Sequence, residues 1–126
     1  MALCHFDWIP LRGNVVDATE KLIEKHNPAW HLGGGLGMHP AFTVELAVAG
    51  FAKLESFSFD LPAWYTHEAW RGRIRASAGV AATLGPDAVA AFDAEHAAML
   101  ASDFPQDPLP VHHRVWVLIA RKPAKN

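Results

Sequence analysis

Hydrophobic and polar positions along the chain follow two periods, one typical of strands and one typical of helices. Short apolar runs rich in β-branched and aromatic residues predict strands, whereas apolar residues spaced three or four apart predict amphipathic helices. We expect strands at residues 1–9, 51–59 and 111–120, and helices at residues 14–26, from 40 to just before 50, from 66 and from 86. Leu61-Pro62 is expected to end the second strand, and Gly85-Pro86 to join the last two helices into a hairpin.

The last predicted strand differs from the other two, because Val115 to Ala120 is apolar without alternation. Such a pattern is typical of a strand covered on both faces and central in its sheet. The order strand, helix, loop, helix, strand, helical hairpin, strand predicts one α/β unit over residues 1–126. A sheet of three such strands is narrow, and its outer strands would need neighbours, so the unit reads as part of a larger fold.

Composition narrows the partners and the compartment. The chain has 126 residues, a formal net charge of -2 and eight histidines, so a basic nucleic-acid surface is not expected. No apolar run approaches the roughly 18 residues of a membrane span. The single cysteine, Cys4, excludes an internal disulfide, and no signal peptide is recognisable. These features favour a cytoplasmic protein that binds neither nucleic acid nor membrane.

The segment from residue 65 to 80 is the densest group of recognition residues. Tyr65, Trp70, Arg71 and Arg75 are candidates for holding an anionic or aromatic substrate by charge-assisted hydrogen bonds and stacking. Arg71 and Arg75 lie one turn apart and point the same way, while Arg73 is rotated away and is expected to be solvated. The alternative is structural: Trp70 seats the helix on the sheet, and a nearby acid neutralises Arg71 in a surface ion pair.

The end of the first predicted strand carries a second group of candidates. His5, Asp7 and Trp8 would face the crevice where α/β folds bind ligands. His5 or Asp7 could orient or deprotonate a hydroxyl or amine nucleophile. A strand-end hydrogen bond explains the same residues equally well, so both interpretations stay open.

Two other patterns are weaker. The run from residue 33 to 37 has four glycines, but no strand precedes it and the next helix begins late, which favours a flexible connector over a cofactor loop. Metal binding through His5, His67 or the adjacent His112 and His113 is not expected, since adjacent strand residues point to opposite faces and no HxxxH or CxxC spacing occurs. His96 lies on an apolar helix face, which favours a hydrogen-bonded core histidine.

Several segments together resemble a known family. They are His5-Phe6-Asp7-Trp8-Ile9-Pro10-Leu11 with Gly13-Asn14, then Gly50-Phe51, the run Tyr-Thr-His-Glu-Ala-Trp-Arg-Gly-Arg-Ile-Arg-Ala-Ser from residue 65, Phe104-Pro105, and His113-Arg114-Val115-Trp116. In this order they resemble the C-terminal half of class I S-adenosylmethionine-dependent methyltransferases of the small-molecule group labelled methyltransferase type 11. The resemblance covers nearly the whole chain.

The resemblance implies a partial Rossmann-like methyltransferase fold. The three strands would correspond to strands five, six and seven of the parent sheet, with the last antiparallel and inserted between the other two. It also implies a small-molecule substrate and S-adenosylmethionine as methyl donor. The family holds that donor with a glycine-rich loop after strand one and an acidic residue ending strand two, and this sequence contains neither. No catalytic residue follows from the resemblance.

Three hypotheses therefore remain at the level of the sequence. The chain is the substrate-side half of a methyltransferase whose N-terminal half is missing from this sequence. Alternatively it is a non-enzymatic module derived from that fold, in which a homodimer covers the unpaired edges of the sheet. A metal hydrolase using the histidines would require stoichiometric zinc, which is not expected.

Overall fold

A computed structural model describes residues 1–123 as a mixed α/β unit with three strands and four helices. The elements are β1 (Ala2–Trp8), α1 (Val15–His26), α2 (Ala41–Val48), β2 (Ala52–Tyr65), α3 (His67–Arg75), α4 (Pro86–Asp103) and β3 (Leu109–Arg121). The end of the predicted polar tail, residues 124–126, lies outside the described residues. Within the described part, none of the helices is long and apolar enough to cross a membrane.

The strands form one open sheet in the order β1-β3-β2, and β3 runs antiparallel to both neighbours. The prediction that the last strand is central and antiparallel is therefore confirmed. The pairing places His5 opposite Trp116 and Asp7 opposite Arg114. Since β1 and β2 each pair only with β3 among the described residues, both are edge strands.

Helices cover the two faces of the sheet unequally. Leu109 and Val111 of β3 belong to the main core beneath α1, α3 and α4. Trp116 is buried on the other face, where Phe42 of α2 lies 6.5 Å from its ring. Farther along β3, Ile119 is exposed on the face of the main core. The expectation that both faces of β3 are covered along the whole strand is therefore wrong. Each helical layer reaches only one end of the strand.

A buried polar junction joins the three helices of the main core. The Trp70 indole N–H of α3 donates a hydrogen bond to the Thr19 hydroxyl of α1 at 3.2 Å. The His96 Nε2 atom of α4 lies 3.2 Å from the same hydroxyl. All three residues are almost completely buried, and burial lowers the pKa of His96 to about 4. His96 is the core histidine that its apolar helix face predicted.

Element boundaries differ from the predictions at two places. Strand β2 continues through Leu61 and Pro62 to Tyr65, because the outer side of an edge strand needs no backbone N–H donor and so tolerates proline. Helix α3 ends at Arg75, well before Gly85-Pro86, and a series of turns leads from it to α4. The helical hairpin is present, with a longer connection than Gly85-Pro86 alone.

Low pH should lower the stability of the folded protein, because His96 is buried in its neutral form. In the folded protein the pKa of His96 is about 4, below its ordinary value of 6.5, so the unfolded chain binds the proton more readily between these two pH values. The stability from neutral His96 is present above pH 6.5 and is lost as the pH falls towards 4, on the order of 3 kcal/mol in total. Urea unfolding at a series of pH values measures this loss.

The His96→Gln variant is expected to show a shallower dependence of unfolding free energy on pH over that window, because glutamine keeps a polar group near Thr19 but does not titrate. The exposed His31 offers a control, and His31→Gln should behave as the parent chain does. Equal slopes for the parent and His96→Gln would contradict the assignment.

Candidate functional site

A cavity with a volume of about 380 Å³ lies beside the C-terminal end of β1. Four parts of the chain line it: Asp7 and Trp8 of β1, Glu20 of α1, residues from the loop between α1 and α2, and Arg73 with the turn that follows α3. The cavity therefore lies where the first strand ends and the helical hairpin begins. This is the crevice that sequence analysis expected to carry function.

A nearly buried carboxylate anchors one wall of the cavity. Glu20 is 6% exposed and accepts a hydrogen bond from the Trp8 indole N–H at 3.0 Å and another from the Gly34 backbone N–H at 2.9 Å. Burial raises the pKa of Glu20, and these two hydrogen bonds oppose that rise. Each carboxylate oxygen keeps a second lone pair, so Glu20 can also accept a hydrogen bond from a ligand.

Glycines allow the loop between α1 and α2 to pass tightly around the end of β1. At Gly37 the backbone has φ +62, and an added Cβ would lie 2.7 Å from Cδ1 of Ile9 and 3.1 Å from Cβ of Arg114. Only glycine fits a left-handed position that also contacts two side chains so closely. The predicted absence of regular structure is confirmed, and Gly37 in addition brings His39 to the cavity wall.

Asp7, His39 and His5 form a cluster at this wall. His39 Nε2 lies 2.8 Å from Asp7 Oδ2, and His5 Nδ1 lies 3.9 Å from the same oxygen. The two imidazole rings are stacked with their centres 3.8 Å apart. Trp116 and Phe42 surround them at ring distances of about 5.5 to 6.1 Å. Asp7 and His39 line the cavity, and His5 lies directly behind them.

The polar groups on the opposite wall come from α3 and the turn after it. The Arg73 guanidinium carbon lies 5.1 Å from the centre of a Trp8 ring, a cation–π contact. Ser77 also lines the cavity, and its hydroxyl has no hydrogen-bond partner among residues 1–123. A buried hydroxyl without a partner favours a ligand or water molecule at that position. Arg73, which was expected to be solvated, is exposed and borders the cavity.

The candidates of the segment from residue 65 lie elsewhere. Trp70 is 0% exposed and contacts Thr19, so its place in the substrate-binding group must be corrected: it is a core residue, because its indole fills the junction of the helices. Tyr65 is half-buried and packs against the core, with its ring 5.4 Å from that of Trp70. Neither residue lines the cavity.

Arg71 and Arg75 are held by carboxylates rather than directed at the cavity. The Arg71 Nε atom donates to Asp93 at 3.0 Å and the Arg75 Nη1 atom at 2.7 Å, while both arginines also contact Glu68. The hydrogen bond from the Arg71 guanidinium is the main cause of the lowered pKa of Asp93. The prediction that the two arginines share a direction is confirmed, and the ion-pair alternative for Arg71 is the one the structure contains.

The cavity contains five polar or aromatic residues that the sequence did not place there: Glu20, Trp30, His39, Arg73 and Ser77. For Glu20 a signal was present, because a carboxylate four residues after Val16 falls on the apolar face of α1. Trp30 and His39 lie in an irregular loop, where no period indicates which side chains turn inward. Arg73 reaches the cavity because α3 approaches the end of β1, a tertiary contact that local spacing does not contain.

Comparisons with protein-family models, with curated proteins and with solved structures each found no match to this chain.

Gly37 provides a test of the loop that forms the cavity wall. The Gly37→Ala variant is expected to lose about 2–3 kcal/mol of unfolding free energy, because its Cβ meets Ile9 in a backbone conformation unfavourable for alanine. The matched control is Gly35→Ala, where nothing lies within 4 Å of the added atom and a change within about 0.5 kcal/mol is expected. Chemical denaturation measures both, and equal losses would contradict the role of Gly37.

Proposed function

We propose that the chain is the acceptor-binding part of a small-molecule methyltransferase that uses S-adenosylmethionine. The observation that carries the proposal is the cavity at the end of β1, bordered by α3 and the turn that follows it in the insertion between β2 and β3. In the family that the sequence resembles, this insertion covers the substrate side. The proposal gives the cavity the role of the methyl-acceptor pocket.

The topology of the sheet supports this assignment. The order β1-β3-β2, with β3 antiparallel between the other two, is the order expected if the three strands correspond to strands five, seven and six of the parent fold. An antiparallel last strand inserted between two parallel ones is uncommon in other doubly wound folds. The Rossmann-like identity of the unit is part of the proposal and rests on this order together with the sequence resemblance.

The chemistry of the cavity supports a flat acceptor that carries an anionic group. Trp8 and Trp30 offer indole surfaces for stacking, and Arg73 offers a guanidinium with no ion-pair partner found in residues 1–123. Glu20 and Asp7 offer oxygens that accept a hydrogen bond from an acceptor hydroxyl. We therefore propose hydroxylated aromatic acids as the substrate class.

The contribution of these residues to catalysis would be positioning. Methyl transfer from a sulfonium is an in-line displacement, and holding the acceptor oxygen in one orientation away from water accounts for much of what the protein supplies. Asp7 at the end of β1 is the candidate for orienting the acceptor hydroxyl. The donor, when bound elsewhere, supplies the electrophilic methyl group.

The described residues do not fit the methyl donor itself. The glycine run at residues 33–37 follows α1 and an irregular stretch rather than a strand, and α2 begins only at Ala41. It therefore does not form the strand–loop–helix cradle in which backbone amides hold a nucleotide-like cofactor. The proposal assigns donor binding to residues outside this sequence.

Binding of 4-hydroxybenzoate tests the pocket directly. We expect it to quench tryptophan fluorescence and to shift the NMR signals of the Trp8 and Trp30 indoles. Arg73→Gln should weaken binding about 10- to 100-fold, because it removes a charge-assisted hydrogen bond to the carboxylate. Arg12→Gln removes the same charge from an exposed position outside the cavity and should leave the affinity unchanged within about twofold.

Equal weakening by the two arginine variants would contradict a specific contact from Arg73, and no shift at either indole would contradict the pocket. Calorimetry with S-adenosylmethionine tests the assignment as a methyltransferase separately from the binding of an acceptor in the pocket. This chain alone is expected not to bind the donor, and tight binding would overturn the division between acceptor and donor halves. Methyl transfer to the same acceptor, once a donor-binding polypeptide is added, is the positive outcome.

A second candidate function, self-association, is favoured by an exposed apolar surface on the sheet. Phe6, Phe57, Phe59 and Ile119 are 47%, 51%, 50% and 39% exposed, and the register places them on one face of three adjacent strands. We call these four residues the outer apolar patch. Contiguous apolar surface of this kind marks interaction sites.

The neighbouring edge of β1 favours a second copy of the chain as the partner. Ala2–Trp8 contains one formally charged residue, Asp7, and no proline or lysine that would protect an unpaired strand. Antiparallel pairing of two β1 edges about a two-fold axis would continue the sheet and place two outer apolar patches side by side. We therefore propose a homodimer as the second candidate.

Sedimentation velocity tests the homodimer. The parent chain is expected to sediment as a dimer at micromolar concentration, and Phe6→Glu should shift it to a monomer, because Phe6 lies on β1, the strand that would form the interface, and a carboxylate there would be poorly solvated. Trp64→Glu is the matched control, since Trp64 is 60% exposed on the opposite face of β2 and should leave the dimer intact. A monomeric parent chain with native circular dichroism would sink this candidate.

A further inference from the structure

Three side chains beside the cavity place potential metal-ligand atoms close to one another. They are His5, Asp7 and His39, and one ligand atom of each lies within 4.8 Å of the other two. Their side chains are 34%, 38% and 31% exposed, so an ion can reach them from solvent. The cluster combines one carboxylate with two imidazoles from separate parts of the chain.

We propose that His5, Asp7 and His39 bind a divalent transition-metal ion, with Zn²⁺ as the best match. Two of the three ligands are imidazole nitrogens, which suit zinc and its neighbours, whereas Mg²⁺ and Ca²⁺ require oxygen ligands. Three protein ligands with a fourth position left open are typical of zinc sites that interact with a ligand or water. The site shares Asp7 with the proposed acceptor pocket, but its argument does not depend on methyl transfer.

The distances suit this ion after small side-chain adjustments. Zinc bonds of 2.0–2.1 Å in a tetrahedral arrangement place two ligand atoms roughly 3.3 Å apart. The observed separations from Asp7 Oδ2 are 2.8 Å to His39 Nε2 and 3.9 Å to His5 Nδ1, one slightly shorter and one slightly longer. The stacked imidazole rings, whose planes lie 29° apart, would also have to tilt away from each other so that both nitrogens point at the ion, and their partly exposed side chains leave room for that rotation.

The fold prepares the three ligands in advance. His5 and Asp7 are two residues apart on β1, so they point to the same face of the sheet, and pairing with β3 fixes their register. The Gly37 turn brings His39 onto that face. Because Asp7 and His39 also line the cavity, the ion would lie at the cavity wall, where a water molecule or a cavity ligand can complete its coordination.

The alternative is that His39 and Asp7 form only a hydrogen bond that fastens the loop to β1. The structure contains an internal comparison for this alternative: His112 Nε2 lies 2.8 Å from Asp60 Oδ2, the same separation as in the His39–Asp7 pair. Asp60 also accepts from the Arg114 guanidinium, with Nε at 2.6 Å and Nη2 at 2.8 Å. That positive charge, and the lack of a third ligand within residues 1–123, make the His112–Asp60 pair unsuitable for a cation.

The experiment uses the full chain without a histidine tag. Calorimetry with Zn²⁺ at pH 7.5 is expected to give one ion per chain, and Co²⁺ should give a visible absorption band typical of nitrogen and oxygen ligands. His39→Gln, His5→Gln and Asp7→Asn should each weaken Zn²⁺ binding at least about tenfold, since even changes to groups behind the ligands cost 10- to 100-fold. His112→Gln should bind Zn²⁺ as the parent chain does.

Two further measurements keep the outcome interpretable. Circular dichroism shows whether each variant is folded, and Asp7→Asn keeps the shape and a hydrogen-bond acceptor, so a loss of Zn²⁺ binding in folded Asp7→Asn cannot come from loosening the loop. Binding should also weaken in acid, because metal ions compete with protons for imidazole nitrogens.

Three results would overturn the site. The first is the absence of a stoichiometric ion on the folded parent chain. The second is Zn²⁺ binding that persists in folded His39→Gln and His5→Gln. The third is an equal loss in His112→Gln, which would show that Zn²⁺ binds scattered surface histidines. Neither failure nor success of 4-hydroxybenzoate binding changes the interpretation of these results.

Discussion

The pairing of β3 with both neighbouring strands is the constraint on which the rest of the structure depends. Its backbone hydrogen-bonds to β1 on one side and to β2 on the other, so it sets the register of every residue on either sheet face. Through this register His5 and Asp7 face Trp116 and Arg114, and Leu109 and Val111 face the three helices of the main core. Without the central strand, neither the position of β1 nor the direction of its side chains would be fixed, and the cavity wall would not form.

The candidate site exists because the chain changes from one sheet face to the other beside the end of β1. Trp30 packs with the main core on one face, whereas His39 contacts Asp7 on the other. The glycines between them, and Gly37 above all, allow the change within a few residues. This crossing explains how a stacked histidine pair, a nearly buried glutamate and a cation–π contact come to surround one cavity of moderate size.

The two proposals for function and the metal site use two surfaces of this small unit. The acceptor pocket and the metal site use the cavity wall, whereas self-association uses the outer apolar patch on the sheet half that no described helix covers. A short helical layer over a sheet of long strands buries one end of the central strand and leaves apolar side chains at the other end exposed to water. Burying these side chains against a partner is therefore favourable.

The sequence by itself determined the type and order of the elements. It indicated three strands with the last one central, a first helix beginning near residue 14, a helical hairpin before the last strand, and Asp7 and Trp8 as candidates at the end of the first strand. These follow from local periodicity and from the uninterrupted apolar run, which short-range interactions fix. Only the tertiary structure decided that Trp70 is a core residue, that Asp93 and Glu68 hold Arg71 and Arg75, and that Arg73 borders the cavity. The meeting of His5 with His39 was also beyond the sequence, because it depends on the path of an irregular loop and on strand register, and neither leaves a period in the chain.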